Sequence, residues 1–291
     1  MLKAIFVSAH VSGNSQLILS EKSAVLVDCG LPFCVDETLA NLKNALGGRK
    51  LDAIILSHSH YDHIAALPFF REAYPDTPVY VHPYAAGVFT REGALKTMEM
   101  MCENAKRLFG KGFIGRKPEL SKLKADVLLT DEQTIPFDDD VIRVMFTPGH
   151  TKDCVSLDWP QYKVTWLCET LGAPRPDGRV QPCFLTGYLS TVDCCKKIKS
   201  LGERRYIISH RPDIMTVEKS REYLTMAEQV VIESAELVRR RFDAGDDFAA
   251  IFAAYKEIYW SEDYRDSWPF EAFKMNTEAA IATVLRELCG Q

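Results

Sequence analysis

Up to about residue 215, short apolar runs alternate with polar or glycine-bearing turns. Residues 4–7, 16–19 and 24–27 are apolar runs parted by Gly13-Asn14 and by Glu21-Lys22-Ser23, which predicts three strands. Val35, Leu39, Leu42 and Leu46 recur at helical spacing, and Gly47-Gly48 closes that helix. Ala53-Ile54-Ile55-Leu56 is brief and rich in isoleucine, the pattern of a buried strand. A helix through Phe69-Phe70 stops before Pro75, and residues 79–81 form a strand ending at His82, which either packs there or lies near the site. Residues 94–109 are helical and carry Met98, Met100 and Met101, as core filler or as the wall of a flexible apolar pocket. Residues 127–129 and 141–146 flank the acidic turn Asp138-Asp139-Asp140 and are expected in a second sheet. Residues 155–159 and 164–167 read as a hairpin, 192–201 as a helix and Tyr206-Ile207-Ile208 as a strand.

After about residue 216 the spacing is helical only. Leu224, Ala227, Val231, Val238 and Phe242 trace one helix face, and Gly245 is its stop. Helices over 248–259 and 270–288 follow, joined by the aromatic and acidic stretch 259–268. The expected organisation is a domain over 1–215 and a helical extension over 216–291.

Composition changes this picture little. Apolar residues make up 47% and charged residues 26%, as in ordinary soluble globular proteins. A net charge of −5 argues against general affinity for nucleic acid or anionic membranes. No apolar run approaches the ~18 residues that span a bilayer, and the first residues read as a strand without a cleavage site. Nine cysteines without a C-x-x-C pair suit reduced, buried thiols, and hence a cytoplasmic protein. Lys106, Arg107, Lys111, Arg116 and Lys117 form a basic bias, either a solvated face or an attraction for an anionic substrate.

The candidate chemistry begins at Ser57-His58-Ser59-His60-Tyr61-Asp62-His63. This stretch leaves the carboxyl end of the strand over 53–56, where α/β folds commonly place ligands. In extended backbone His58, His60 and Asp62 face one side, while His63 sits where the chain turns toward a helix. Five of the seven histidines join the pattern: His58, His60 and His63, then His150 in Thr147-Pro148-Gly149-His150-Thr151 and His210 in Ile207-Ile208-Ser209-His210. Each of the last two also follows an apolar run. Imidazoles and carboxylates gathered at strand ends point to metal binding.

With H-x-H-x-D-H, P-G-H-T and a late strand-then-His in that order, the sequence resembles the metallo-β-lactamase fold superfamily of hydrolases. The resemblance covers roughly residues 1–215. It implies an α/β fold, a four-layer αβ/βα sandwich of the metallo-β-lactamase type. The helices after residue 216 resemble the C-terminal helical cap of glyoxalase-II-like members and of a bacterial quinolone-signal response protein. Carried over residue by residue, one metal is held by His58, His60 and His150, and a second by Asp62, His63 and His210. The position of the family's bridging aspartate falls on Glu169, one methylene longer. Cys168 is the competing local ligand, but strand alternation points the two to opposite faces and favours Glu169. Asp62 and Glu169 are the carboxylates expected to serve catalysis as well as metal binding. Asp28 stands either as support for the metal loop or as a turn-former. The proline- and glycine-rich stretch 172–187 is expected as a loop at the mouth of the site, and Arg211 as a contact for a substrate anion.

The donor set suits two divalent metal ions, zinc first, with iron or manganese as alternatives. The expected function is a binuclear metal-dependent hydrolase using metal-bound hydroxide on a small ester, thioester, lactone or phosphodiester. Two other classes stand beside it: an iron-dependent redox enzyme, and a metal-bound regulatory or binding protein with weak hydrolysis. No G-x-S-x-G or glycine-rich phosphate loop competes. The expected partner is a small-molecule substrate, not nucleic acid or a membrane, with a homodimer possible.

Overall fold

The computed structural model describes residues 1–137, 140–175, 177–211, 213–264 and 269–291. Two compact units form. The first comprises Met1–Phe146, Val155–Trp166 and Tyr206–Ile214, and the second Thr147–Cys154, Leu167–Arg205 and Met215–Gln291.

The first unit is built on two sheets. Six strands run in the order Lys3–Phe6, Gln16–Leu19, Ala24–Val27, Ala53–Ile55, Val79–Val81 and Val127–Leu128. The first three pair antiparallel, and the last three add in parallel. Ala24–Val27 and Ala53–Ile55 lie in the middle and are buried throughout, which is why they read as continuous apolar runs rather than alternating ones. Their register, Val25 to Ala53 and Val27 to Ile55, brings Asp28 and the loop after Leu56 to the same sheet end. The second sheet runs Arg205–Ile208, Val164–Leu167, Val155–Trp159, Asp140–Phe146 and Thr134–Phe137. Helix Val35–Leu46 ends at Gly47, whose φ of 57° lets its N–H return to the carbonyls of Lys43 and Asn44.

The structure moves three boundaries. Val127–Leu128 belongs to the first sheet, paired in parallel with Val79–Val81, and not to the second. The partner of Asp140–Phe146 is Thr134–Phe137, a strand the sequence hides because Pro136 interrupts its pattern. The stretch 172–187 contains a two-stranded ladder, Ala173–Pro174 with Val180–Gln181, where a loop is expected. Asp138 and Asp139 of the acidic turn, and residues 265–268 of the aromatic stretch, lie outside the described residues.

The second unit is held by helices Tyr188–Ser200, Val217–Asp243, Phe248–Tyr259 and Phe270–Leu288. Each start has its own logic. Thr216 accepts from the Lys219 N–H, and Asp247 accepts from the Ala250 N–H at 2.8 Å. Gly187 offers no side chain ahead of Tyr188–Ser200, so Glu287 reaches in from Phe270–Leu288 and accepts the N–H groups of Tyr188 and Leu189 at 3.0 and 2.9 Å. Phe184, Val231, Tyr255, Phe273, Ile281 and Val284 form the core of this unit. Among the described residues no helix is long and apolar enough to cross a membrane. None of the nine cysteines is in a disulfide, and all but Cys289 are buried.

Candidate metal centre

In the first unit the loop after Ala53–Ile55 carries His58, His60, Asp62 and His63. His58 is fully buried, its ring 4.7 Å from that of His60 and 4.0 Å from that of His63. His210, at the end of Arg205–Ile208, closes the group from the other sheet of the unit. Its Nε2 lies 3.2 Å from His63 Nε2, and the Asp62 Oδ2 lies 3.6 Å from both nitrogens.

Asp28 organises this arrangement. Its Oδ1 accepts from the Ser57 N–H at 2.7 Å. Its Oδ2 accepts from Ser57 Oγ and from His63 Nδ1, each at 2.7 Å, and from Asn14 Nδ2 at 2.8 Å. His210 Nδ1 is 3.0 Å from the Val11 carbonyl oxygen, and its backbone N–H donates to Asn14 Oδ1 at 2.9 Å. An imidazole beside a carbonyl or carboxylate oxygen must present its N–H there. Both His63 and His210 are therefore protonated on Nδ1 in the neutral form, and both Nε2 lone pairs point at each other and at Asp62. Three acceptors aimed at one point repel unless a cation or a proton sits between them. Their separations of 3.2 to 3.6 Å suit a tetrahedral ion, whose ligand atoms at ~2.0–2.1 Å stand about 3.4 Å apart. Asp28 and His210 also take left-handed backbone, with φ of 64° and 60°. For residues with a Cβ such conformations are costly and collect at functional sites.

The second unit brings together His150 and Glu169. Gly149, at φ of 150°, turns the chain before His150, and a Cβ there would strike the Thr191 and Thr170 side chains. The Thr170 hydroxyl donates to the Thr147 carbonyl and accepts from the His150 N–H. His150 Nδ1 is 2.9 Å from the Cys183 carbonyl oxygen, which leaves Nε2 facing Glu169 Oε2 at 2.9 Å. Burial works against the His150 cation, but the Glu169 carboxylate outweighs it and raises the pKa to about 9. Glu169 does not end the strand: Val164–Leu167 stops first, and Glu169–Leu171 is a single 3-10 turn. Strand alternation therefore does not set the directions of Cys168 and Glu169. Beside this pair, burial opposes the Cys154 thiolate, yet a hydrogen bond from Cys168 and the charge of His150 bring its pKa down to about 7.

The first unit thus gathers His58, His60, Asp62, His63 and His210, and the second His150 and Glu169. Sequence reasoning misses Asn14 and the Cys183 carbonyl. Asn14 sits in a Gly-Asn turn signal, and a backbone carbonyl leaves no trace in a sequence. His82 is a helix cap: its Nδ1 accepts from the Tyr84 N–H at 2.9 Å ahead of Pro83–Val88.

The family pattern described as the Metallo-beta-lactamase superfamily matches residues 10–210. The chain belongs to the metallo-beta-lactamase superfamily. It is 32% identical over 148 residues to the probable metallo-hydrolase YflN of Bacillus subtilis, covering 49% of this chain and 53% of that protein. It is 33% identical over 107 residues to a ribonuclease of Thermus thermophilus, covering 36% of this chain and 22% of the ribonuclease. The chain thus spans about half or less of the length of these relatives. A solved metallo-beta-lactamase family protein, also of Thermus thermophilus, superposes with a TM-score of 0.62 at 18% identity, over 99% of this chain and 93% of that one. The fold is the metallo-beta-lactamase fold.

Proposed function

We propose that the protein is a binuclear metal-dependent hydrolase of a small ester, thioester, lactone or phosphodiester. The observation that carries the reading is the Asp62, His63 and His210 group, in which two oriented Nε2 lone pairs and a carboxylate oxygen converge within 3.6 Å. On the superfamily pattern His58, His60 and His150 would hold one ion and Asp62, His63 and His210 the other, with Glu169 as a further carboxylate ligand. The donors are imidazoles and carboxylates, which fit zinc and also iron or manganese.

Bound there, two divalent ions supply a nucleophile drawn from water at neutral pH and Lewis acidity toward the scissile group. The chain's own part is to orient and to exclude. Asp28 fixes the His63 tautomer and the start of the metal loop. The Cys183 carbonyl does the same for His150. Burial of His58, His63 and His150 keeps bulk water from the ligands' outer edges. A small-molecule substrate is favoured over nucleic acid by the net charge of −5 and by the 22% share of the ribonuclease that is matched. A cytoplasmic location accords with nine cysteines outside any disulfide.

Elemental analysis of protein purified without added metal tests the proposal, read beside the double variant His58→Ala, His60→Ala. The expected result is about two ions per chain in the native protein, with at least one lost in the variant together with turnover of simple esters. Native protein without bound metal, or a variant with unchanged metal content, overturns it.

A further inference from the structure

Asp62, His63 and His210 come from two segments far apart in sequence, and one buried residue reaches the supports of all three. Asn14 is fully buried, in the loop between Lys3–Phe6 and Gln16–Leu19. Its backbone N–H donates to the Asp62 carbonyl at 2.9 Å. Its Nδ2 donates at 2.8 Å to Asp28 Oδ2, the same oxygen that accepts from His63 Nδ1. Its Oδ1 accepts from the His210 N–H at 2.9 Å. An ionised carboxylate only accepts and a backbone N–H only donates, so both ends of the Asn14 amide are fixed in one orientation.

The neighbours of Asn14 grip the same turn. The Val11 carbonyl oxygen accepts from His210 Nδ1 at 3.0 Å. Gln16 Nε2 donates to the carbonyls of Ile208, at 3.2 Å, and of Arg211. His210 itself has left-handed backbone, with φ of 60°, which is costly for a residue with a Cβ. Hydrogen bonds to its N–H, to its ring and to the carbonyls on either side hold it there.

We propose that Asn14 is a positioning residue for the ion of the Asp62, His63 and His210 group. It joins Asp62 directly, His63 through Asp28 and His210 through its N–H, and so fixes the 3.2 Å separation of the two Nε2 atoms. This rests on the two-ion reading of the site. No other side chain of this size does both tasks. Asn14→Asp keeps the acceptor for His210 but sets a second carboxylate against Asp28, and Asn14→Leu serves neither side.

The test uses the full chain loaded with cobalt(II), as native protein, Asn14→Asp, Asn14→Leu and Thr38→Val. Thr38 accepts from the Ala9 N–H at 3.0 Å, so it holds the same loop through a bond that reaches no ligand. Competition with a chromophoric chelator gives the affinity of each ion, the visible cobalt bands report its geometry, and melting of the metal-free chain reports the fold. Partners behind metal ligands contribute roughly 10–100-fold to affinity. Asn14→Asp should weaken one of the two ions by about that factor, shift its bands and leave the other ion unchanged. Thr38→Val should lower the melting temperature of the metal-free chain and leave both affinities as they were. If Asn14→Leu does not fold, the near-isosteric Asn14→Asp decides. Native affinities and bands in Asn14→Asp overturn the proposal. So does an equal loss in Thr38→Val, because the effect is then a general loosening of the loop. Native protein that binds no cobalt overturns the two-ion reading and the Asn14 role together. If native protein binds two ions and cleaves no ester, the hydrolase reading fails, and a selective loss in Asn14→Asp still upholds the role of Asn14.

Discussion

Asp28 shows how much one side chain carries here. Four donors converge on its two oxygens, and the residue pays for them with a left-handed backbone. Replacing it with alanine leaves a buried imidazole N–H, a hydroxyl and a backbone N–H without their acceptor. Hydrogen-bond partners behind metal ligands contribute roughly 10–100-fold to metal affinity, so Asp28→Ala should weaken zinc binding by about that factor. Competition with a chromophoric chelator measures it, and an unchanged affinity would show that Asp28 only shapes a turn. The sequence held both readings of Asp28, because an aspartate after a strand suits either. It offered nothing for Asn14, whose amide joins Asp28 to the His210 backbone, 196 residues away in sequence. His58, His60, Asp62 and His63 were legible because a local backbone period sets which way they face. Glu169 was placed by family pattern alone, and the turn that carries it breaks the period on which its orientation was argued.

Local period also explains which elements were legible. Val35–Leu46 and the central strands repeat a single pattern over their whole length. Val127–Leu128 is two residues long and takes its sheet from a parallel neighbour far away in sequence, which no local pattern encodes. What fixes that strand is an ion pair. The Arg71 guanidinium donates to both oxygens of Asp126, at 2.7 and 2.9 Å, and Asp126 also accepts from the Val79 N–H at 2.9 Å. One carboxylate thus ties helix Leu67–Ala73 to two parallel strands. The Arg71 hydrogen bonds hold its pKa below the ordinary 3.8. A depressed carboxylate pKa stabilises the fold above the unfolded value, and the effect is lost as pH falls through the folded value. The pair is partly exposed, so Asp126→Ala should cost about 1 kcal/mol at neutral pH. The gap in Tm between wild type and variant should be constant from pH 7 to 5 and close below pH 3.8. A gap that does not narrow at all as pH falls below 3.8 would place its origin in packing instead.

At the scale of the molecule, the helices after residue 216 are more than an appendage to the second unit. They share it with Thr147–Cys154 and Leu167–Arg205, the segments that carry His150 and Glu169. The connection is specific. Tyr223 donates to the Gly172 carbonyl at 2.8 Å, three residues after Glu169. Phe184, next to the Cys183 whose carbonyl orients His150, is fully buried among Val231, Tyr255 and Phe273. Removing residues 215–291 strips these contacts and exposes the apolar face of Tyr188–Ser200. A chain ending at Ile214 should therefore lose His150 and Glu169 as ordered ligands, fail to retain two metal ions, and melt without a cooperative transition. A gentler cut at the same core is Phe273→Ala, which should cost about 3–5 kcal/mol and lower metal content only when the second unit opens. Calorimetry with metal analysis on both chains decides the matter. A truncated chain that melts cooperatively and keeps two ions would show that His150 and Glu169 are held without the helices.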